Sequence, residues 1–216
     1  MILTALPSRL YAVCDAEVCA KAGWTLPDFA AACMDGGATL LQVRAKHTPS
    51  RTFLNDTEQI MRRAAAAQAT VIFNDRADIA RLAGAHGVHV GQDDLTPAAV
   101  RHLVGAHALV GLSTHTAEQL AAAMREPVQY VAVGPVFGTA TKDTGYLPVG
   151  LPAVREAASV ARDTHMPVVA IGGITLALAP DVLDAGASAV AVITDILVGN
   201  DPAARVRAFL ERLARV

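Results

Sequence analysis

The chain predicts an α/β fold, a single (β/α)8 TIM barrel, and three observations predict it. Eight short apolar runs recur along its 216 residues, each too short for a buried helix. Ala-, Leu- and Arg-rich stretches of helical length separate them. Within the runs, Val, Ile, Leu and Ala follow one another with little polar alternation, the pattern of parallel strands covered on both faces. Polar or glycyl residues are read only at the carboxyl end of each run, where such a barrel builds its active site. That ordering points to an enzyme, with residues 1–216 as one catalytic domain.

Each element has its own warrant. LYAVCD (10–15) is the first strand, and the helix predicted at 25–36 stops at Gly36-Gly37. LLQVR (40–44) precedes a helix at 49–67, where Thr48 can cap and Pro49 suits the first turn. VIFND (71–75) leads to a helix at 76–84 that ends on Gly84, and GVHVGQ (87–92) to one at 96–104 opened by Thr96-Pro97. LVGLS (109–113) is followed by a helix at 116–125, signalled by Thr116 with Glu118 and Gln119. YVAVGP (130–135) precedes a helix at 151–164, and VVAIGG (168–173) one at 175–186 closed by Gly186. AVAVIT (189–194) and a helix at 202–215, opened by Asp201-Pro202, complete the set. AGAHGVHVG (83–91) and AGASAVAVI (185–193) echo each other, as repeated βα units do.

One connection is too long for economy. GPVFGTATKDTGYLPVG (134–150) contains four Gly, three Thr, two Pro and one Lys. A loop of this length on the catalytic face reads as a lid or ligand-binding loop, and its Thr and Lys favour phosphate contact over a tolerated insertion.

Composition narrows the class. Hydrophobic residues make up 53% and charged residues 18%, which two-sided burial of eight strands explains. No apolar run approaches the roughly 20 residues that span a bilayer, and no secretion signal opens the chain, so no membrane partner and a cytoplasmic location are expected. A net charge of −2 with 4% aromatics gives no electrostatic or stacking basis for a nucleic-acid partner. Cys14, Cys19 and Cys33 form no CxxC pair and read as buried small hydrophobes rather than a disulfide or zinc framework. Nothing in the chain marks an oligomeric state, and a homo-oligomer stays open.

The strand ends supply the chemistry. By alternation Gln42, Arg44 and Lys46 share one side of the second strand, so two cations and an amide converge on the barrel mouth and suit a diphosphate. A solvated Arg-x-Lys is the bland alternative. Asn74-Asp75 ends the third strand and Gly91-Gln92-Asp93-Asp94 the fourth; these acids offer an oxygen site for Mg2+, completed by substrate phosphates. Helix capping accounts for one such acid easily and for three poorly. Gly172-Gly173 and Ile193-Thr194, after the seventh and eighth strands, occupy the recurrent phosphate position of this fold. Two phosphorylated small-molecule substrates, one with a diphosphate leaving group, are the inference. The histidines add little: His86 and His89 straddle a turn and a strand, and His115 lies behind Ser113 as a supporting residue.

Taken in order, the motifs resemble the thiamine-phosphate synthase family: Gln42-Val-Arg-Ala-Lys46, Phe73-Asn-Asp75, Gly87-Val-His-Val-Gly-Gln-Asp-Asp94, Gly111-Leu-Ser113, Val133 through Lys142, Ala170-Ile-Gly-Gly173 and Ala191-Val-Ile-Thr194. The resemblance implies condensation of 4-amino-5-hydroxymethyl-2-methylpyrimidine diphosphate with a thiazole phosphate, in the carboxy or hydroxyethyl form, releasing pyrophosphate. It implies Gln42, Arg44, Lys46, Asn74, Ser113 and Lys142 on the pyrimidine diphosphate, with Lys142, Ser113 and Arg44 catalytic. It implies Asp75 and Asp94 on Mg2+ as cofactor, and Thr139, Thr141, Gly173, Ile193 and Thr194 on the thiazole phosphate. The implied chemistry is dissociative, with pyrophosphate leaving before the thiazole nitrogen attacks. The sequence departs from the family at Ala45, where an acid is common, at Gly138, where Pro is common and a more mobile lid follows, and at Thr194, where Ser is common. Ala45 points away from Arg44 and Lys46 by alternation, so the diphosphate cations should keep their places.

Three rivals remain. A thiazole tautomerase would need neither Mg2+ nor the diphosphate residues and would use His115. A Schiff-base aldolase would use Lys142 as nucleophile, although a Gly/Thr-rich loop is a poor place for one. A non-catalytic phosphate-binding barrel would have no use for the paired acids.

Overall fold

The structure is a computed structural model and describes residues 5–138 and 145–216. Its strands are β1 (Leu10–Asp15), β2 (Leu40–Arg44), β3 (Thr70–Asn74), β4 (Gly87–Val90), β5 (Leu109–Thr114), β6 (Tyr130–Val133), β7 (Val168–Ile171) and β8 (Ala189–Val192). They close in sequence order into one barrel, every pairing parallel, with β8 returning to β1. The helices are α1 (Ala16–Lys21), α2 (Leu26–Asp35), α3 (Ser50–Ala67), α4 (Ala77–Ala83), α5 (Pro97–Val104), α6 (Ala117–Ala123), α7 (Gly150–Ala161), α8 (Ala179–Asp184) and α9 (Pro202–Leu213). A 3₁₀ segment, Thr194–Asn200, follows β8.

Both faces of the strands are filled, as their composition requires. Outward residues such as Leu10, Ala12 and Cys14 of β1, Val71 and Phe73 of β3, and Val190 and Val192 of β8 join the layer beneath the helices. Inward residues, among them Tyr11, Val13, Leu40, Ile72, Tyr130, Val169 and Ala191, form a separate cluster inside the barrel. Each large apolar side chain buried in this way contributes about 1.5–3 kcal/mol. Cys14, Cys19 and Cys33 belong to the outer layer and are buried; burial pushes the Cys19 thiol up to about 12.

The capping signals act as read at three helices. Thr96 Oγ1 accepts from Ala99 N–H (3.3 Å), Thr116 Oγ1 from Gln119 N–H (3.2 Å), and Asp201 Oδ1 from Ala204 N–H (2.9 Å). Two expectations need correction. The cap of α3 is Pro49, not Thr48, and carries no side-chain bond. Helix α1 was not anticipated: Asp15 Oδ1 accepts from Glu17 and Val18 N–H, both at 3.1 Å, and turns the chain into a helix directly off β1. No helix among the described residues is long and apolar enough to cross a membrane.

Candidate active site

Barrel closure brings five of the predicted residues, Gln42, Arg44, Asn74, Ser113 and Ile193, to one cavity at the mouth. Asp15, Gln42, Arg44, Asn74, Ser113 and Ile193 line a cavity of about 50 Å³ there, floored by Tyr11, Val13, His89, Ala132, Val169, Ile171 and Ala191. Gln42 and Arg44 face inward because they alternate with Leu41 and Val43, which pack outward. Arg44 forms an ion pair with Asp15, whose other oxygen caps α1. Asp15 is 3% exposed, so its charge is held by that guanidinium and two backbone N–H groups. Ala45 is buried in the outer layer, and the acid nearest Arg44 comes from β1 instead.

Beside this cavity, Lys46 Nζ lies 3.1 Å from Asp75 Oδ2. Asp75 sits at φ +61°, a left-handed conformation that Asp tolerates better than most residues. Its N–H donates to His89 O at 2.9 Å, which fixes the turn off β3 against β4. Asp94 is oriented by Gly91, whose N–H donates to Asp94 Oδ2 at 2.8 Å. Burial and the neighbouring Asp94 carboxyl hold the Asp75 carboxyl above the usual carboxylate range, against the opposing pull of Lys46. Two acids kept this close suit a cation. Among the described residues no three His, Cys, Asp or Glu side chains form a metal-binding group. Asp93 is exposed on the same loop.

The opposite rim is built from backbone. Gly172 and Gly173 have φ of +103° and +63°. A Cβ on Gly173 would lie 2.6 Å from Gly138 O, and one on Gly172 2.6 Å from Pro135 Cα. Ile171 O and Gly172 O accept from Val136 N–H (2.8 Å) and Phe137 N–H (3.0 Å), so the loops after β6 and β7 are joined main chain to main chain. Thr194 is exposed at the start of the 3₁₀ segment, next to Ile193. Thr139, Thr141 and Lys142 lie outside the described residues.

Reasoning from sequence missed what lies beneath the mouth. Polar side chains were expected only at carboxyl ends, yet Tyr11, Tyr130 and His89 stand inside the barrel. His89 Nε2 is 2.8 Å from Ser113 Oγ, and its Nδ1 is 3.0 Å from Tyr130 Oη. Tyr130 Oη is 2.9 Å from Tyr11 Oη, which accepts from Gln42 Nε2 at 3.2 Å. Burial pushes both phenols well above their ordinary pKa, so they stay protonated. One signal for this cluster was present in Gly111: a Cβ there would lie 2.0 Å from Tyr130 Cζ, so this glycine makes room for the ring. His115 supports the long loop, with Nδ1 2.5 Å from Gly134 O and its ring stacked on Tyr146 at 4.1 Å.

Known proteins share this plan. The family model described as thiamine monophosphate synthase matches residues 10–196. The thiamine-phosphate synthase of Koribacter versatilis is 45% identical over 207 residues, covering 95% of each chain. That of Anaeromyxobacter dehalogenans is 44% identical over 185 residues, 84% of this chain and 82% of its own. The solved thiamine phosphate pyrophosphorylase of Pyrococcus furiosus superposes with a TM-score of 0.84 over 96% of both chains; at 24% identity this likeness speaks for the fold.

Proposed function

This chain belongs to the thiamine monophosphate synthase family, and we propose how its barrel mouth carries out that family's reaction. It is an enzyme of thiamine biosynthesis, a transferase with thiamine-phosphate synthase activity. In this reading the substrates are 4-amino-5-hydroxymethyl-2-methylpyrimidine diphosphate and a thiazole phosphate. The bond between the pyrimidinylmethyl carbon and the diphosphate oxygen breaks first, and pyrophosphate leaves with the electron pair. The thiazole nitrogen then donates its lone pair to the resulting cation, giving thiamine phosphate.

Gln42, Asn74 and Ser113 would orient the pyrimidine, while Arg44 and Lys46 receive the diphosphate, joined by Lys142. Arg44 offers a fork of donors and Lys46 a point charge, and both stabilise charge that grows on the leaving group. Asp75 and Asp94 would hold Mg2+, an ion commonly bound by one or two carboxylates together with substrate phosphates. Mg2+ would add neutralisation of the diphosphate charge. Gly173, Ile193 and Thr194, with Thr139 and Thr141, would take the thiazole phosphate, and the loop after β6 would exclude water. A single catalytic domain working in the cytoplasm on two small phosphorylated molecules completes the proposal.

The observation that carries this reading is the grouping at one rim of Arg44 and Lys46, each on a carboxylate, with the Asp75–Asp94 pair. It is tested by mixing purified protein with both substrates and Mg2+ and quantifying thiamine phosphate and pyrophosphate with and without EDTA. One-to-one, EDTA-sensitive formation is expected. Product formed undiminished in EDTA would remove the metal from the proposal, and absence of product would remove the assignment of the site.

A further inference from the structure

Five side chains from five strands make an unbroken hydrogen-bonded chain through the barrel: Gln42, Tyr11, Tyr130, His89 and Ser113. Its two ends line the mouth cavity. Its middle is buried, with Tyr11 and Tyr130 each 1% exposed. No buried side-chain nitrogen or oxygen among the described residues lacks a partner.

Counting the hydrogens gives the chain a direction. The Gln42 amide donates to Tyr11 Oη. Tyr11 has one hydroxyl hydrogen, and its neighbour in the chain is Tyr130 Oη. With Tyr11 donating there, the Tyr130 hydrogen is left to go to His89 Nδ1, 3.0 Å away. An imidazole that accepts at Nδ1 carries its hydrogen on Nε2, and that hydrogen goes to Ser113 Oγ. The Ser113 hydroxyl hydrogen is then the one left to point into the cavity. The His89 ring stacks on Tyr130, 5.5 Å between ring centres at 20°.

We propose that Tyr130 and His89 are positioning residues that hold Ser113 as a hydrogen-bond donor toward an acceptor atom of the pyrimidine diphosphate, with Tyr11 and Gln42 setting the direction of the chain. This rests on the reading that Ser113 holds that substrate. Ser113 then selects for a ligand atom with a lone pair, such as a ring nitrogen or phosphate oxygen, and against a donor at the same point.

The test begins with ¹⁵N-histidine NMR of the intact, ligand-free protein, the His89 signals being assigned by their loss in His89→Gln. The expected result is one tautomer with hydrogen on Nε2; hydrogen on Nδ1 would overturn the proposal. Tyr130→Phe should release the single tautomer and lower kcat/KM for the pyrimidine diphosphate about tenfold, leaving KM for the thiazole phosphate unchanged. Tyr11→Phe removes the partner that orients the Tyr130 hydroxyl and should lower the share of the Nε2–H tautomer, though less than Tyr130→Phe does, because Tyr130 can still donate to His89. Wild-type tautomer and wild-type kinetics in Tyr130→Phe would also overturn the proposal. A wild-type protein that makes no thiamine phosphate would sink the functional reading instead, and the tautomer result would still report the direction of the chain.

Discussion

On the side of the mouth built by β1 to β5, the polar groups are side chains, and they are already engaged: Arg44 with Asp15, Lys46 with Asp75. On the side built by β6 to β8 the features are glycines and main-chain bonds, with Ile171 and Ile193 as neighbours. The first side holds its cations in ion pairs, which an arriving anion would have to open. The second side is set in advance, because its glycines admit no Cβ and its loops are bonded to each other. Charge that rearranges suits a leaving diphosphate, whereas fixed backbone suits a phosphate that keeps its place through the reaction.

The largest effect that would break this contrast is expected at Asp75. Asp75→Asn should lower kcat by about 10³-fold or more, the order expected for loss of metal assistance, with thiazole phosphate binding nearly intact by calorimetry. Equal loss of both would make Asp75 structural. Because its carboxyl is held above the ordinary range, its proton binds at higher pH than that of a free Asp. The charged form is disfavoured in the fold, so its contribution to stability is present at low pH and lost as pH rises through that raised value. Apparent Mg2+ affinity should therefore weaken as pH falls through the same window, and Asp75→Asn should flatten the metal-free stability profile there. A titration followed by thermal melting checks both signs.

Next comes Arg44→Met. It should reduce kcat/KM about 100-fold and destabilise the protein by roughly 3 kcal/mol, since buried Asp15 loses its counter-charge. Adding Asp15→Asn should restore most of the stability in urea melts and none of the activity. Recovery of activity would mean that Arg44 acts only on Asp15.

On the glycine side, Gly173→Ala forces a Cβ to 2.6 Å from Gly138 O at φ +63°. A cost of about 1–3 kcal/mol is expected, with KM for the thiazole phosphate raised roughly tenfold and KM for the pyrimidine diphosphate little changed. The smallest effect belongs to Thr194→Ser, which keeps a hydroxyl at an exposed position and should leave both KM values within about twofold, within the range of ordinary surface changes.

Much of this was legible in the chain. The strand runs and the observed strands share their starts to within one residue, because β-branched runs of this length, bounded by glycine and proline, have few other folds open to them. Alternation alone put Gln42 and Arg44 inside. Helix α1 was not legible, since six residues carry little periodicity and its cap, Asp15, also ends a strand. Asp15 was passed over as a site residue for the same reason: its partner is 29 positions away. His89 read as unremarkable because a histidine between two valines announces neither its face nor its neighbours.

What the sequence determined by itself is therefore local: which segments are strands, which residues share a face, and which strand ends carry charge. Those properties depend on composition and on a two-residue period. What tertiary structure decided is which polar groups meet. Tyr11 and Tyr130 are 119 positions apart and bond only because closure brings β1 and β6 across one barrel interior. Hydrogen-bond partners depend on distances of a few tenths of an ångström between elements remote in sequence, and barrel closure sets those distances.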